Sequence, residues 1–202
     1  MVGLFRLKNV ADILYEVVSH QIPGDFAELG VWRGGTCIFA KCILDMMGEG
    51  HRAVHVFDVF GSIGKYGERA NFLAIPEEDV RASFEMYNAW GSNVFFHKGL
   101  FKDTLPQFYA NNTGMTMAVL RVDGNFHDSY QDALYYMYDF VPVGGYVIFD
   151  DVYSHPGAME AWKEFKQDHG LTEELTRIDR GSAYFQKTRK VVVNFQRMRP
   201  FQ

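Results

Sequence analysis

Met117-Ala118-Val119-Leu120-Arg121-Val122-Asp123 is the stretch that decides the fold: a short, mostly apolar run that stops on an acid. Tyr146-Val147-Ile148-Phe149 repeats the pattern and stops on two, Asp150-Asp151. Apolar runs of about four to eight residues bounded by turn signals read as strands buried on both faces of a parallel sheet. Parallel strands deliver the residues that follow them to one edge. Three carboxylates gathered there are unfavourable unless a cation neutralises them. An all-oxygen donor set suits a hard divalent ion such as Mg²⁺. Asp123, Asp150 and Asp151 are therefore candidate metal ligands. Without a cation, Asp151 would cap a turn and Asp123 would bond backbone amides.

Working outward, strands alternate with helices. Val10, Ile13, Leu14, Val17 and Val18 recur at helical spacing over Asn9 to Ser19, and Pro23-Gly24 ends that helix. Phe26 to Leu29 reads as a first strand closed by Gly30. Gly34-Gly35-Thr36 opens a helix reaching about Met47, and His51 to Phe57 reads as a second strand ending at Asp58. Residues 61 to 71 are too irregular to assign. Pro76-Glu77-Glu78 starts a helix, with proline in the first turn and acids at the positive dipole end. Val94 to His97 is a third strand closed by Gly99. Thr104 is expected to cap a short helix with Pro106 in its first turn. A helix from Ser129 to Phe140 and another from Pro156 to His169 flank the Tyr146 strand. Leu175–Ile178 and Ala183–Gln186 close the chain as antiparallel edge strands. The expected fold is α/β: a doubly wound, Rossmann-like sheet, mostly parallel, with right-handed crossovers and ligands at the carboxyl edge. Glu28, Gly30, Asp58, Gly99, Asp123, Asp150 and Asp151 all fall on that edge.

Bulk properties narrow the function. A chain of 202 residues supports one sizeable core, and 48% hydrophobic with 22% charged residues is ordinary for a globular domain. A net charge of −5 argues against nucleic acid as partner. Lys187, Arg189, Lys190, Arg197 and Arg199 read as a solvated basic tail. Cys37 and Cys42 sit in one helix at a spacing that turns them apart, so both are expected reduced, as in a cytoplasmic protein. No apolar run reaches the roughly 18 residues of a membrane span, so none is expected, and the N-terminus lacks the charged-then-apolar pattern and cleavage site of a signal peptide.

Glu28-Leu29-Gly30-Val31-Trp32-Arg33-Gly34-Gly35-Thr36 joins a strand to a helix. Its glycines let the backbone approach a ligand, and the helix N-terminus offers free N–H groups to a carboxylate. Thr36 adds a hydroxyl donor, and Asp58 is placed to accept from two ribose hydroxyls. This is the layout of a nucleoside cofactor site, although a tight βα turn holding no ligand has the same sequence. The spacing of Gly30, Gly34 and Gly35 misses the dinucleotide fingerprint G-x-G-x-x-G, which argues against a nicotinamide oxidoreductase.

Taken together, Met1-Val2-Gly3-Leu4-Phe5-Arg6-Leu7, Gly30-Val31-Trp32-Arg33-Gly34-Gly35, Phe101-Lys102-Asp103-Thr104-Leu105-Pro106 and Gly144-Gly145-Tyr146-Val147-Ile148-Phe149-Asp150-Asp151 make the chain resemble the macrocin O-methyltransferases, along almost its whole length. The Glu28–Thr36 loop is more distantly similar to that of the Mg²⁺-dependent catechol O-methyltransferases. The resemblance implies S-adenosyl-L-methionine as methyl donor and a sugar or glycoside hydroxyl as acceptor, in a homo-oligomer. It implies that Asp123, Asp150 and Asp151 are metal ligands. Glu28, Gly30, Val31 and Thr36 would hold the methionine end of the cofactor, Asp58 the ribose, and Gly99, Leu100 and Phe101 the adenine side. The family reads D-G-D-x-Y-E-S where this chain reads Asp123-Gly124-Asn125-Phe126-His127-Asp128-Ser129, so a carboxylate is lost at Asn125 and His127 replaces an aromatic. Family members also carry a further N-terminal segment. The chain is thus expected to be one methyltransferase domain over 1–202, whether a trimmed form, a compact variant or one domain of a longer polypeptide.

Asp123 is the expected proton acceptor and His127 its rival, because a near-neutral imidazole in a loop above the edge suits proton transfer. His155 and His97 also lie near strand ends. Tyr66, Phe72 and Trp90 are candidates for a sugar-stacking surface. Two further readings stand beside the sugar methyltransferase. One is a catechol-type enzyme, disfavoured because Asn125, Phe126 and His127 occupy the stretch where that class carries lysine. The other is a cofactor-binding module without turnover.

Overall fold

The computed structural model describes residues 2–62, 64 and 68–199, without the side chains of 68–70. Among the described residues, seven strands, numbered β1 to β7 along the chain, form one sheet in the order β3-β2-β1-β4-β5-β7-β6. β1 (Asp25–Leu29), β2 (Val54–Asp58), β3 (Val94–Lys98), β4 (Met117–Val122) and β5 (Tyr146–Phe149) are parallel. β7 (Ala183–Gln186) pairs antiparallel with β5, and β6 (Thr176–Arg177) with β7. The expected doubly wound sheet with its antiparallel edge is what forms.

Side-chain alternation along the strands separates two cores. Phe26, Val54, Val56, Val119 and Ile148 face α1 (Leu4–Ser19), α2 (Gly35–Met46) and α3 (Glu77–Met86). Leu29, Phe57, Leu120, Val122 and Phe149 face α4 (Phe101–Asn111), α5 (His127–Met137) and α6 (Pro156–Asp168). Both faces of the sheet are covered, so the central strands are nearly continuous apolar runs. Among the described residues, no helix is long and apolar enough to cross a membrane.

Several boundaries differ from expectation. α1 starts at Leu4 rather than Asn9, because Leu4 and Phe5 point outward and carry no core signal. β2 starts at Val54 rather than His51. α4 starts at Phe101, so Thr104 is not its cap; the Thr104 hydroxyl donates back to the Leu100 carbonyl at 3.1 Å, and Pro106 sits inside the helix. α5 starts at His127, not Ser129, and passes into a 3₁₀ turn at Tyr138–Phe140. The basic tail is not simply solvated. Lys187 is buried, its ammonium donating to the Tyr138 carbonyl at 3.0 Å, and Arg199 pairs with Asp168 and Glu164. Such long side chains bury their stems when their charged ends find partners.

Candidate active site

The carboxyl edge opens into a cavity of about 1270 Å³ lined from the ends of β1 to β5 and the first turn of α1. Its floor depends on Gly30. This residue sits at φ +88°, and a Cβ there would strike the Asp123 carbonyl oxygen. The close approach is fixed by Gly30 N–H donating to Phe57 O and Asp123 N–H donating to Leu29 O, both at 2.8 Å. Only glycine lets the β1 end pass so near the β4 end.

Asp58 is committed to the glycine turn. Its Oδ2 accepts from the N–H groups of Val31 at 2.8 Å and Trp32 at 3.1 Å, and its Oδ1 from that of Phe60 at 3.0 Å. A carboxylate has about four acceptor positions, so three backbone donors leave little for the two ribose hydroxyls expected of it. Asp58 shapes the loop as well as lining the cavity. Val31, Gly35, Thr36, Gly99, Leu100 and Phe101 line the same cavity.

Asp123, Asp150 and Asp151 each offer an oxygen, all within 4.8 Å of one another. An outside cation is not alone in offsetting these acids: the chain brings its own guanidinium groups. Arg121, almost wholly buried on β4, donates to Glu28, to Asp123 Oδ2 at 3.1 Å and to Asp150 Oδ1. Arg6, from the first turn of α1, donates through Nη1 to Asp150 Oδ2 at 2.5 Å and lies 3.4 Å from Asp151 Oδ1. Burial, together with Asp150, Glu28 and Asp151, pushes the Asp123 carboxyl well above the usual range against the pull of Arg121. Burial also raises Glu28, opposed by Arg121 and by the Cys37 thiol, which donates to Glu28 Oε2 at 2.8 Å. The Cys37 thiol is raised in turn by burial and by Glu28. Cys37 and Cys42 are both free thiols.

The histidines stand elsewhere. His127 does not line the cavity; it is the first residue of α5, and its Nε2 lies 2.9 Å from Glu164 Oε2 on α6. His155 also lies outside the lining, with Nδ1 3.8 Å from Asp151 Oδ2. His97 faces α4 in a separate hollow, 3.1 Å from His55. Phe72 lines the cavity. Trp90 packs on Phe96 beneath Arg81, away from it. Tyr66 lies outside the described residues.

Arg6 and Arg121 are site residues that were not among the candidates on the sheet edge. For Arg121 a signal existed. A charge inside a buried strand requires a partner, and period-two alternation puts it on the same side as Asp123. For Arg6 no local signal exists.

Residues 1–187 match the family model described as macrocin-O-methyltransferase (TylF). The demethyldecarbamoylnovobiocin O-methyltransferase of Streptomyces niveus is 39% identical over 202 residues, covering 94% of this chain and 76% of the relative. The 8-demethyl-8-(2,3-dimethoxy-alpha-L-rhamnosyl)-tetracenomycin-C 4'-O-methyltransferase of Streptomyces olivaceus is 35% identical over 201 residues, covering 93% and 75%. Among solved structures, the O-methyltransferase NovP superposes with a TM-score of 0.86 at 39% identity, covering 93% of this chain and 81% of that one.

Proposed function

The chain belongs to the macrocin-O-methyltransferase (TylF) family and is an O-methyltransferase, and from that premise we propose that S-adenosyl-L-methionine is its donor, a sugar hydroxyl of a glycoside its acceptor, and a hard divalent cation such as Mg²⁺ its cofactor. The single observation that carries this reading is the convergence of the Asp123, Asp150 and Asp151 carboxylates beside the Gly30 turn in one cavity. Relatives named for methylating rhamnosyl-tetracenomycin and a novobiocin precursor support a sugar carried on a larger molecule as the acceptor class.

The residues present fit both groups. The three candidate ligands offer oxygen donors, as a hard ion requires, and Arg6 and Arg121 hold those carboxylates from outside. The cavity volume exceeds what a nucleoside cofactor alone needs, and ligand pockets of about 300–1,000 Å³ usually hold one small molecule. Gly30, Val31 and Thr36, the last in the first turn of α2, would receive the methionine end, Asp58 one ribose hydroxyl at its remaining acceptor position, and Gly99 to Phe101 the adenine side. Glu28, locked between Arg121 and Cys37, supports that end from below.

S-adenosyl-L-methionine supplies a methyl group already activated on sulfur. Asp123, Asp150 and Asp151 would hold the cation, which would supply Lewis-acid lowering of a neighbouring hydroxyl's pKa. Asp123, which lines the cavity beside Asp150 and Asp151, would accept the proton that the hydroxyl must lose. The cavity walls hold the hydroxyl in line, and such positioning contributes up to about 7–11 kcal/mol in well-oriented reactions. A homo-oligomer and a cytoplasmic setting belong to the same reading: Leu4, Phe5, Met86 and Tyr87 leave apolar surface to cover, and both thiols are free.

The test is calorimetry with S-adenosylhomocysteine and with NAD, followed by labelled methyl transfer to a panel of glycosides with and without chelator. Homocysteine-adduct binding and chelator-sensitive labelling of a glycoside are expected. Tight NAD binding alone, or labelling indifferent to exhaustive chelation, would overturn the donor or the cation assignment respectively.

A further inference from the structure

Arg6 opens α1 against local preference. A cation in the first turn faces the positive end of the helix dipole, at a cost of roughly 0.3–1 kcal/mol. The first turn of α1 carries no acid to offset it. The compensation is tertiary. Arg6 Nε donates to Asp179 Oδ2 at 2.7 Å, and Nη2 lies 3.4 Å from Asp179 Oδ1. Asp179 is itself fixed, its Oδ1 accepting from the N–H groups of Gly181 and Ser182 at 2.8 Å each. Gly181 leaves room for this contact: a Cβ there would lie 2.8 Å from Arg6 Nη2 and would strike Ser154 Oγ. The third edge of the guanidinium, Nη1, is thereby aimed at Asp150 and Asp151.

Asp150 is gripped from two sides, Oδ1 by Arg121 and Oδ2 by Arg6. A carboxylate held at both oxygens does not rotate, and each oxygen keeps a lone pair for a cation. Asp179 does not line the cavity. Its contacts serve Arg6 and the turn that carries it.

We propose that Arg6 and Asp179 form a positioning pair for the acidic centre: Asp179 orients the guanidinium, and Arg6 holds Asp150 and Asp151 in the arrangement that faces Asp123. This rests on the reading of the three aspartates as a cation site. The opposite role, a guanidinium that a cation must expel, predicts the reverse effect of its removal.

The test uses the full chain with S-adenosylhomocysteine and Mn²⁺ as probe, followed by calorimetry and by the paramagnetic resonance of free Mn²⁺. Removing Arg6 alone would change the net charge near the site. The decisive variant is therefore the charge-balanced Arg6→Met with Asp179→Asn. It is expected to weaken Mn²⁺ about 10- to 100-fold, the usual cost of losing partners that orient metal ligands, with S-adenosylhomocysteine affinity unchanged. Arg6→Lys should fall between, because one ammonium keeps the charge and cannot span Asp179 and Asp150 together. Should the double variant not fold, Asp179→Asn alone is expected to weaken Mn²⁺ in the same direction. Unchanged or tighter Mn²⁺ binding in the variants overturns the pair. If the wild type itself takes up no Mn²⁺, the cation reading fails and the pair with it. A wild-type site that Asp123→Asn abolishes while the double variant retains it sinks the pair alone.

Discussion

Arg121 on β4 and Glu28 on β1 stand in direct register, and the guanidinium donates to the carboxylate inside the sheet, where each side chain is at most 2% exposed. Burial works against the charge on Arg121, and Glu28, Asp123 and Asp150 more than restore it. The pair is the electrostatic floor of the site, and its partners extend to the two strands on either side of the cavity centre.

Removing the guanidinium strands three acids. Arg121→Met is expected to lose about 3–5 kcal/mol, the range for breaking a buried ion pair from one side. Urea unfolding at pH 7 measures this. The loss should shrink towards pH 5, because Glu28 and Asp123, both raised, can then take up protons instead of remaining charged. A loss that is equal at both pH values would show that packing, not charge, is what Arg121 provides.

Asp123→Asn keeps the shape and removes both a proposed cation ligand and the proposed proton acceptor. Turnover should fall by at least about 10²-fold, the lower range for general-base loss, and Mn²⁺ uptake should disappear, while the fold and S-adenosylhomocysteine binding persist. Single-turnover methyl transfer and calorimetry on the same preparation read the two effects separately. Retained turnover would move the base elsewhere.

His127 is tied to Glu164 and stands outside the cavity. His127→Ala should therefore leave methyl transfer close to wild type and cost about 0.2–1 kcal/mol in stability, as for a partly exposed ion pair. A collapse of turnover at unchanged melting temperature would return His127 to the reaction.

Buried Asp132 and half-buried His97, both on the α4 side of the sheet, titrate in opposite senses. Asp132 is pushed up to about 7 by burial and by Asp128 and Asp103, with Lys102 opposing. Its folded form binds the proton more tightly, so its contribution to stability is lost as pH rises from about 4, the unfolded value, towards 7. His97 is pushed down to about 4 by burial and by His55. Its contribution is present above about 6.5 and is lost as pH falls towards 4. The two slopes oppose each other across one window. Asp132→Asn should expose an acid-side decline, and His97→Phe a decline towards neutral pH, in chemical denaturation followed from pH 4 to 8. Two variants with the wild-type slope would remove both assignments.

Much of the edge was legible in the chain because local rules govern it. Apolar runs that stop on acids mark parallel strands, and the βα crossover sends every strand end to the same side. Glu28, Gly30, Asp58, Gly99, Asp123, Asp150 and Asp151 accordingly line one cavity. The helix starts at Leu4 and His127 were not legible, since outward-facing residues leave no periodic trace. The direction of His127 was settled by Glu164, on a helix the sequence does not orient.

The order of residues by itself determined that this is a doubly wound sheet with three aspartates at its working edge, because strand period and turn chemistry act over a few neighbouring positions. Only the tertiary structure decided that Arg121 and Arg6 meet those aspartates, and that Asp179 holds Arg6 there. Arg6 and Asp179 are separated by 173 positions, and such a pairing depends on strand order and helix placement, which no local preference encodes.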